Sequence, residues 1–230
     1  MDLITSLSKG TMNFINKHDL INKTFTQEDY TYVEDIIKKY RHKEVKITSE
    51  HVKQLAEHGA MIFYGELFKY LIVLSIAYSL NILLPTFIIM NIFSSLRALA
   101  GGVHMSTFNK CFAVMIIFFL SLGYMVTQVH VISLIAIIGI ALGMIWSIAT
   151  ALKYAPQERY DKSDKDCDNG NKKKYMTVLF IIISFVISII FIQNKIICIS
   201  IFTGVLLEMF TITPIGTRFF KWIDNEKVVQ

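Results

Sequence analysis

Long uncharged blocks, separated by short polar clusters, dominate the second two-thirds of this sequence. No Asp, Glu, Lys or Arg occurs from Tyr70 to Leu96, nor from Phe112 to Leu152. A helix needs ~20 apolar residues to cross ~30 Å of hydrocarbon, so the second block is long enough for two crossings. Thr127-Gln128-Val129-His130 is the natural turn between them. Asn81 and Pro85 interrupt the first block. Proline lacks an N–H and crowds the turn behind it, so a helical hairpin is predicted there, with spans near 59–84 and 86–100. Further spans are predicted over 111–127, 131–152, 175–193 and 196–213. The predicted fold is all-α: a polytopic membrane protein with about six transmembrane helices.

Residues 1–58 are polar and predict a cytoplasmic or interfacial helical region ahead of a membrane domain over 59–230. Leu3, Ile4, Leu7, Phe14 and Ile15 form a loose helical stripe that suits a membrane surface or a packed helix equally. Thr26 ahead of Gln27-Glu28-Asp29 has the form of a helix N-cap with an acidic first turn. Val33, Ile36, Ile37 and Tyr40 continue it at amphipathic spacing, and Thr48 ahead of Val52 and Leu55 marks a second start. Glu66 and Lys69 stand three apart near the start of the first span, placed to pair.

Composition agrees with the pattern: of 230 residues 53% are hydrophobic and 18% charged. The formal net charge of +5 matters through its distribution. Loops near spans on the cytoplasmic side carry an excess of Lys and Arg. The 153–174 loop holds more basic than acidic residues, and the tail carries Arg218, Lys221 and Lys227. Six spans then place both chain ends, the 153–174 loop and the segment from Arg97 to Lys110 on the cytoplasmic side. Nothing has the charge footprint of a nucleic-acid binder. The three cysteines are scattered, without disulfide or zinc spacing, and neither metal nor cofactor is expected. Lys172-Lys173-Lys174 suits an anchor at anionic headgroups or an attractor of an acidic peptide.

Candidate chemistry concentrates in Arg97-Ala-Leu-Ala-Gly-Gly-Val-His-Met-Ser-Thr-Phe-Asn-Lys-Cys111. A thiol near an imidazole is the minimum kit for a cysteine nucleophile with its base. On a straight helix, His104 and Cys111 would lie ~10.5 Å apart along the axis, too far for a hydrogen bond. Contact therefore requires a break between them, for which Gly101-Gly102 and a cap at Ser106 or Thr107 supply the sequence. The glycine pair offers N–H groups to a reacting carbonyl, or is simply a flexible turn. Arg97 suits a carboxylate partner or snorkelling to headgroups. Glu208 interrupts the last span, and an intramembrane carboxylate defaults to a functional or pairing role, with Arg97 or Lys110 as partner. Cys167 among carboxylates and Cys198 within an apolar helix are poor nucleophiles.

Read together, Arg97-Ala-x-Ala-Gly-Gly-x-His104, Cys111 seven residues on, a following pair of spans and Ala155-Pro156 opening a basic loop resemble the AgrB family. These are membrane-embedded cysteine peptidases of bacterial quorum sensing. The resemblance implies a multi-pass protein of the bacterial cell membrane that cuts the C-terminal tail from a short amphipathic, AgrD-like propeptide. It implies Cys111 as nucleophile, His104 as its base and an acyl-enzyme thioester, from which the peptide closes a thiolactone or lactone ring. Arg97, Gly101 and Gly102 carry over as motif positions, and a homodimer is implied. A transporter lined by Glu208, Arg97 and His104, or a non-catalytic membrane subunit, stands as the alternative.

Overall fold

A computed structural model describes residues 2–17, 49–102, 105, 107–129, 134–157 and 167–224. His104, the predicted helical stretch from Thr26 to Tyr40 and the start signal at Thr48 lie outside the described residues. Those described are almost wholly helical: α1 (Asp2–Lys17), α2 (Ser49–Ser79), α3 (Leu83–Ala100), α4 (Phe108–Thr127), α5 (Leu134–Tyr154), α6 (Cys167–Ile190), α7 (Lys195–Ile212) and α8 (Pro214–Ile223). Six of these, α2 to α7, are long and apolar enough to cross a membrane. The protein is an all-α polytopic membrane protein.

The chain divides into two compact units. Of the described residues, the first holds 2–17 and 49–72. In it, α1 turns Ser8 and Met12 inward and leaves Leu7 and Phe14 exposed. Thr11 Oγ1 and Tyr64 Oη lie 2.8 Å apart, which links α1 to α2. Glu66 and Lys69 do pair, at 2.6 Å, with the Lys69 side chain nearly buried.

The second unit holds the remaining helices. The predicted interruption falls at Asn81, whose φ of 58° is left-handed, between the end of α2 and the start of α3. Asparagine tolerates that conformation better than most residues, and the Ile82 N–H donates to the Ala77 carbonyl to close the turn. The organising element is α7, the most buried of the spans. It is apolar all round, as a helix enclosed by others must be, and it packs against α3, α4, α5, α6 and α8. Its closest neighbour is α3, and Gly204 makes that approach possible. A Cβ there would sit 2.9 Å from Ile92 Cβ and 3.1 Å from the Ile89 carbonyl oxygen. Small residues at helix contacts are the usual device where lipid removes the hydrophobic drive between helices. Leu96, Ala100, Met144, Ala151, Ala155, Ile181, Val205, Met209 and Ile212 form the core between α3, α5, α6 and α7. Ser147 donates back to the Gly143 carbonyl of its own helix and Ser200 to that of Ile196, whereas Ser188 reaches across from α6 to the Cys198 carbonyl of α7, so these hydroxyls are satisfied within the protein, as lipid surroundings require.

The C-terminal segment departs from the expectation of a plain basic tail. Thr213 is extended, its Oγ1 accepts from the Gly216 N–H, and Pro214 opens α8. A capping threonine followed by proline in the first turn is a strong start signal. Phe219 and Phe220 pack on Phe118 of α4 and Phe210 of α7. At its end Lys110 Nζ donates to Asp224 through both the carbonyl oxygen (2.7 Å) and Oδ1 (2.9 Å). Those contacts fix α8 across the head of α4.

Candidate functional site

Arg97 sits on the last turn of α3, where its guanidinium faces the C-terminal end of α7. There Nη1 lies 3.7 Å from Oε2 of Glu208, whose side chain is completely buried. Arg97 also stacks over the Phe93 ring, at 5.5 Å from its centroid. Of the two cations considered for Glu208, the structure selects Arg97, because Lys110 is engaged with Asp224. Neither Glu208 oxygen makes a hydrogen bond among the described residues. The Arg97 guanidinium is the counter-charge that this buried carboxylate faces.

The glycine pair leaves α3 over this ion pair. Gly101 has φ 77° and Gly102 φ 139°, both in the region that side chains rarely adopt. A Cβ on Gly102 would lie 3.1 Å from Arg97 Nη1 and 3.3 Å from both Glu208 Oε1 and Thr211 Oγ1. The backbone thus lies directly on the Arg97, Glu208 and Thr211 side chains. Gly101 is equally confined. It forms an isolated parallel bridge with Gln157, whose N–H donates to the Ala100 carbonyl at 2.8 Å. The Gly101 N–H is itself engaged with the Arg97 carbonyl at 3.1 Å. A Cβ on Gly101 would reach within 2.5 Å of the Gln157 carbonyl oxygen. Gly101→Ala should therefore lower stability by roughly 1–3 kcal/mol through backbone strain and loss of the bridge. Thermal unfolding of the detergent-solubilised protein checks this, and an unchanged melting temperature would contradict the tight approach.

The predicted helix break is present. Helix α3 ends at Ala100 and α4 begins at Phe108. Of the two cap candidates, Thr107 serves, with Oγ1 accepting from the Lys110 N–H at 3.4 Å. Cys111 follows on the first turn of α4, its N–H bonded to the Thr107 carbonyl. The Cys111 side chain is half-buried and free of any disulfide. It lines a cavity of about 40 Å³ together with Phe93, Arg97, Met105, Thr211 and Phe220. That is room for one or two waters, between apolar walls and the guanidinium.

The structure therefore brings Arg97, Gly102 and Glu208 into contact and puts Cys111 on the cavity that Arg97 lines. Lys172, Lys173 and Lys174 are not part of this cluster. They stand on α6, the first two exposed and the third half-buried. Cys198 is buried and its Sγ lies 3.1 Å from Ser188 Oγ. Two members were missed in the sequence. Thr211 was open to inference, since it follows Glu208 by three positions and shares its helix face. Gln157 follows the Ala155-Pro156 pair of the resemblance, but its pairing with Gly101 is a contact between distant segments.

The accessory gene regulator B family model matches residues 33–212. An AgrB-like protein of Clostridium perfringens (strain SM101 / Type A) is 28% identical over 190 residues, covering 75% of this chain and 86% of the relative. AgrB-like protein 2 of Clostridium perfringens (strain 13 / Type A) is 27% identical over 189 residues, with the same coverage. No solved structure matches the chain. The family match takes in Arg97, Cys111, Gln157, Glu208 and Thr211 but ends before Phe220 of α8, and the chain belongs to the accessory gene regulator B family, with a role in the agr quorum-sensing system.

Proposed function

We propose that this protein is a membrane cysteine endopeptidase that removes the C-terminal tail of a membrane-associated, AgrD-like propeptide and promotes ring closure of the remaining peptide. The observation that carries this reading is the position of Cys111. It is the half-buried thiol on a small, mostly apolar cavity whose polar wall is Arg97 and Thr211. In the proposed reaction His104 takes the thiol proton and Cys111 Sγ attacks the scissile carbonyl. Collapse of the tetrahedral intermediate breaks the C–N bond, and the proton passes from His104 to the leaving amine. The acyl group remains on Cys111 as a thioester. A thiol or hydroxyl within the peptide then attacks the same carbonyl, which frees Cys111 and closes a thiolactone or lactone.

Because the Gly101 N–H is bonded to the Arg97 carbonyl, the role of oxyanion donor falls to Gly102. Arg97 and Glu208 act in support. Their charge attraction fixes the end of α7 under Gly102 and so presets where that N–H points. The apolar part of the wall, from Phe93, Val114, Met115 and Phe220, favours ring closure over hydrolysis by holding off water. Lys172, Lys173 and Lys174 attract the propeptide to the membrane face without touching the reacting atoms. The reacting face is cytoplasmic, by the charge bias of the loops, and the enzyme acts as a homodimer.

Co-expression with a candidate propeptide tests the proposal. His104→Ala should reduce release of the tail by about 10²–10⁴-fold, the usual contribution of a general base, while the membrane content of the protein stays the same. Processing at the wild-type rate by His104→Ala would rule the mechanism out.

A further inference from the structure

Helix α8 has three distinct faces, and the site described above uses one. Gly216 and Phe220 face inward, with Phe220 closing the Cys111 cavity. Ile215 and Trp222 are exposed (73% and 74%), and Phe219 beside them, one edge packed on Phe118 and Phe210, remains 38% exposed. Arg218 and Lys221 lie on the third face. They line an open cavity of about 310 Å³ with Tyr154, Gln157, Ile212, Pro214 and Thr217. Among the described residues no acidic side chain lines it. Gln157 Nε2 donates to Thr217 Oγ1 at 3.2 Å, while the buried Gln157 Oε1 has no partner among the described residues.

Each face has a physical consequence. A short helix with an exposed Ile, Phe and Trp stripe and cations beside it lies in the plane of a membrane interface. Tryptophan favours the headgroup level, where its ring is half in hydrocarbon and its N–H in the polar layer. The helix starts two residues after α7 ends at Ile212, which is the boundary of the last candidate span. The interface is thus where α8 begins. We propose that α8 lies in the headgroup layer and that the cavity on its cationic flank binds the headgroup of an anionic phospholipid. Arg218 and Lys221 take the phosphodiester oxygens, with the guanidinium suited to two of them at once. The acyl chains follow the stripe that Ile215 and Trp222 mark. A cavity of this size is in the range of small-ligand sites.

The cavity shares its walls with the thiol site. Thr211 and Phe220 line the Cys111 side, and their neighbours Ile212 and Lys221 line this one. A bound headgroup would brace the wall between them. The lipid inference does not rest on the proposed peptidase chemistry, and its test does not use activity.

The full chain, purified in mild detergent, is titrated with phosphatidylglycerol or phosphatidylcholine of identical acyl chains, and bound lipid is measured by native mass spectrometry. Two basic contacts predict a preference for phosphatidylglycerol of about thirty-fold. R218Q/K221Q should reduce it to within about three-fold, and R218K/K221R, which keeps both charges, should retain most of it. In a W146F background, Trp222 fluorescence should be quenched by brominated phosphatidylglycerol. An equal preference in wild type and R218Q/K221Q overturns the site. So does displacement of the lipid by millimolar inorganic phosphate, which would mark a free-anion site. Binding of a glutamate-rich peptide in place of any lipid preference overturns it in favour of a peptide.

Discussion

Cys111→Ala should abolish tail release, with turnover falling by roughly 10⁴-fold or more, the scale seen when a nucleophile is removed from a covalent mechanism. The remaining groups would still bind and polarise a propeptide, but no thioester could form. A propeptide whose internal Cys or Ser is replaced by Ala sharpens the experiment, because the acyl group then has no internal acceptor and accumulates. Wild-type protein should carry an adduct with the mass of the acylated peptide, removable by hydroxylamine, on the fragment that contains Cys111. Cys198→Ala should carry it equally, since that thiol is buried against Ser188. An adduct on another cysteine, or undiminished cleavage by Cys111→Ala, would refute the assigned nucleophile.

The second large effect belongs to the ion pair. Arg97→Leu leaves the Glu208 carboxylate completely buried, with no hydrogen bond among the described residues and its 3.7 Å counter-charge removed. Removing one partner of a buried pair costs about 3–5 kcal/mol, because the other charge remains desolvated. The double variant Arg97→Leu/Glu208→Leu removes both charges and should recover most of that stability, as apolar replacements of buried pairs often do. It should not recover processing, because the side chains that position Gly102 are then gone. Thermal unfolding and tail release across the four proteins of the cycle separate these effects. If the double variant is as unstable as Arg97→Leu, the pair is not what destabilised the single one.

Much of this arrangement is legible in the sequence because lipid imposes simple rules. Charge-free runs have to be helices, and Asn81 with Pro85 had to interrupt one of them. A lone glutamate within a span had to find a cation, and Arg97 was one of two in reach. What decided between Arg97 and Lys110 was the facing of α3 and α4 toward α7, which local periodicity does not encode. Gly101 and Gly102 carried two readings, an oxyanion donor and a flexible turn. Their contacts with Gln157 and with Glu208 show a confined turn, imposed by segments more than fifty residues away. Helix α8 was missed for another reason. Thr213-Pro214 is a readable start, but a ten-residue element after the last span does not stand out from a basic tail by its composition.

The clasp between Gly101 and Gln157 bears on how relatives of this chain can be recombined. The two segments it joins lie in separate loops, yet they behave as one module, since the Ala100 carbonyl, the Gly101 backbone and the Gln157 N–H are seated together. A chimera that exchanges the α5–α6 connection should place its junction after Gln157, so that the native strand partner travels with its glycine. A junction before Ala155 would set a foreign residue against a turn with no room for it.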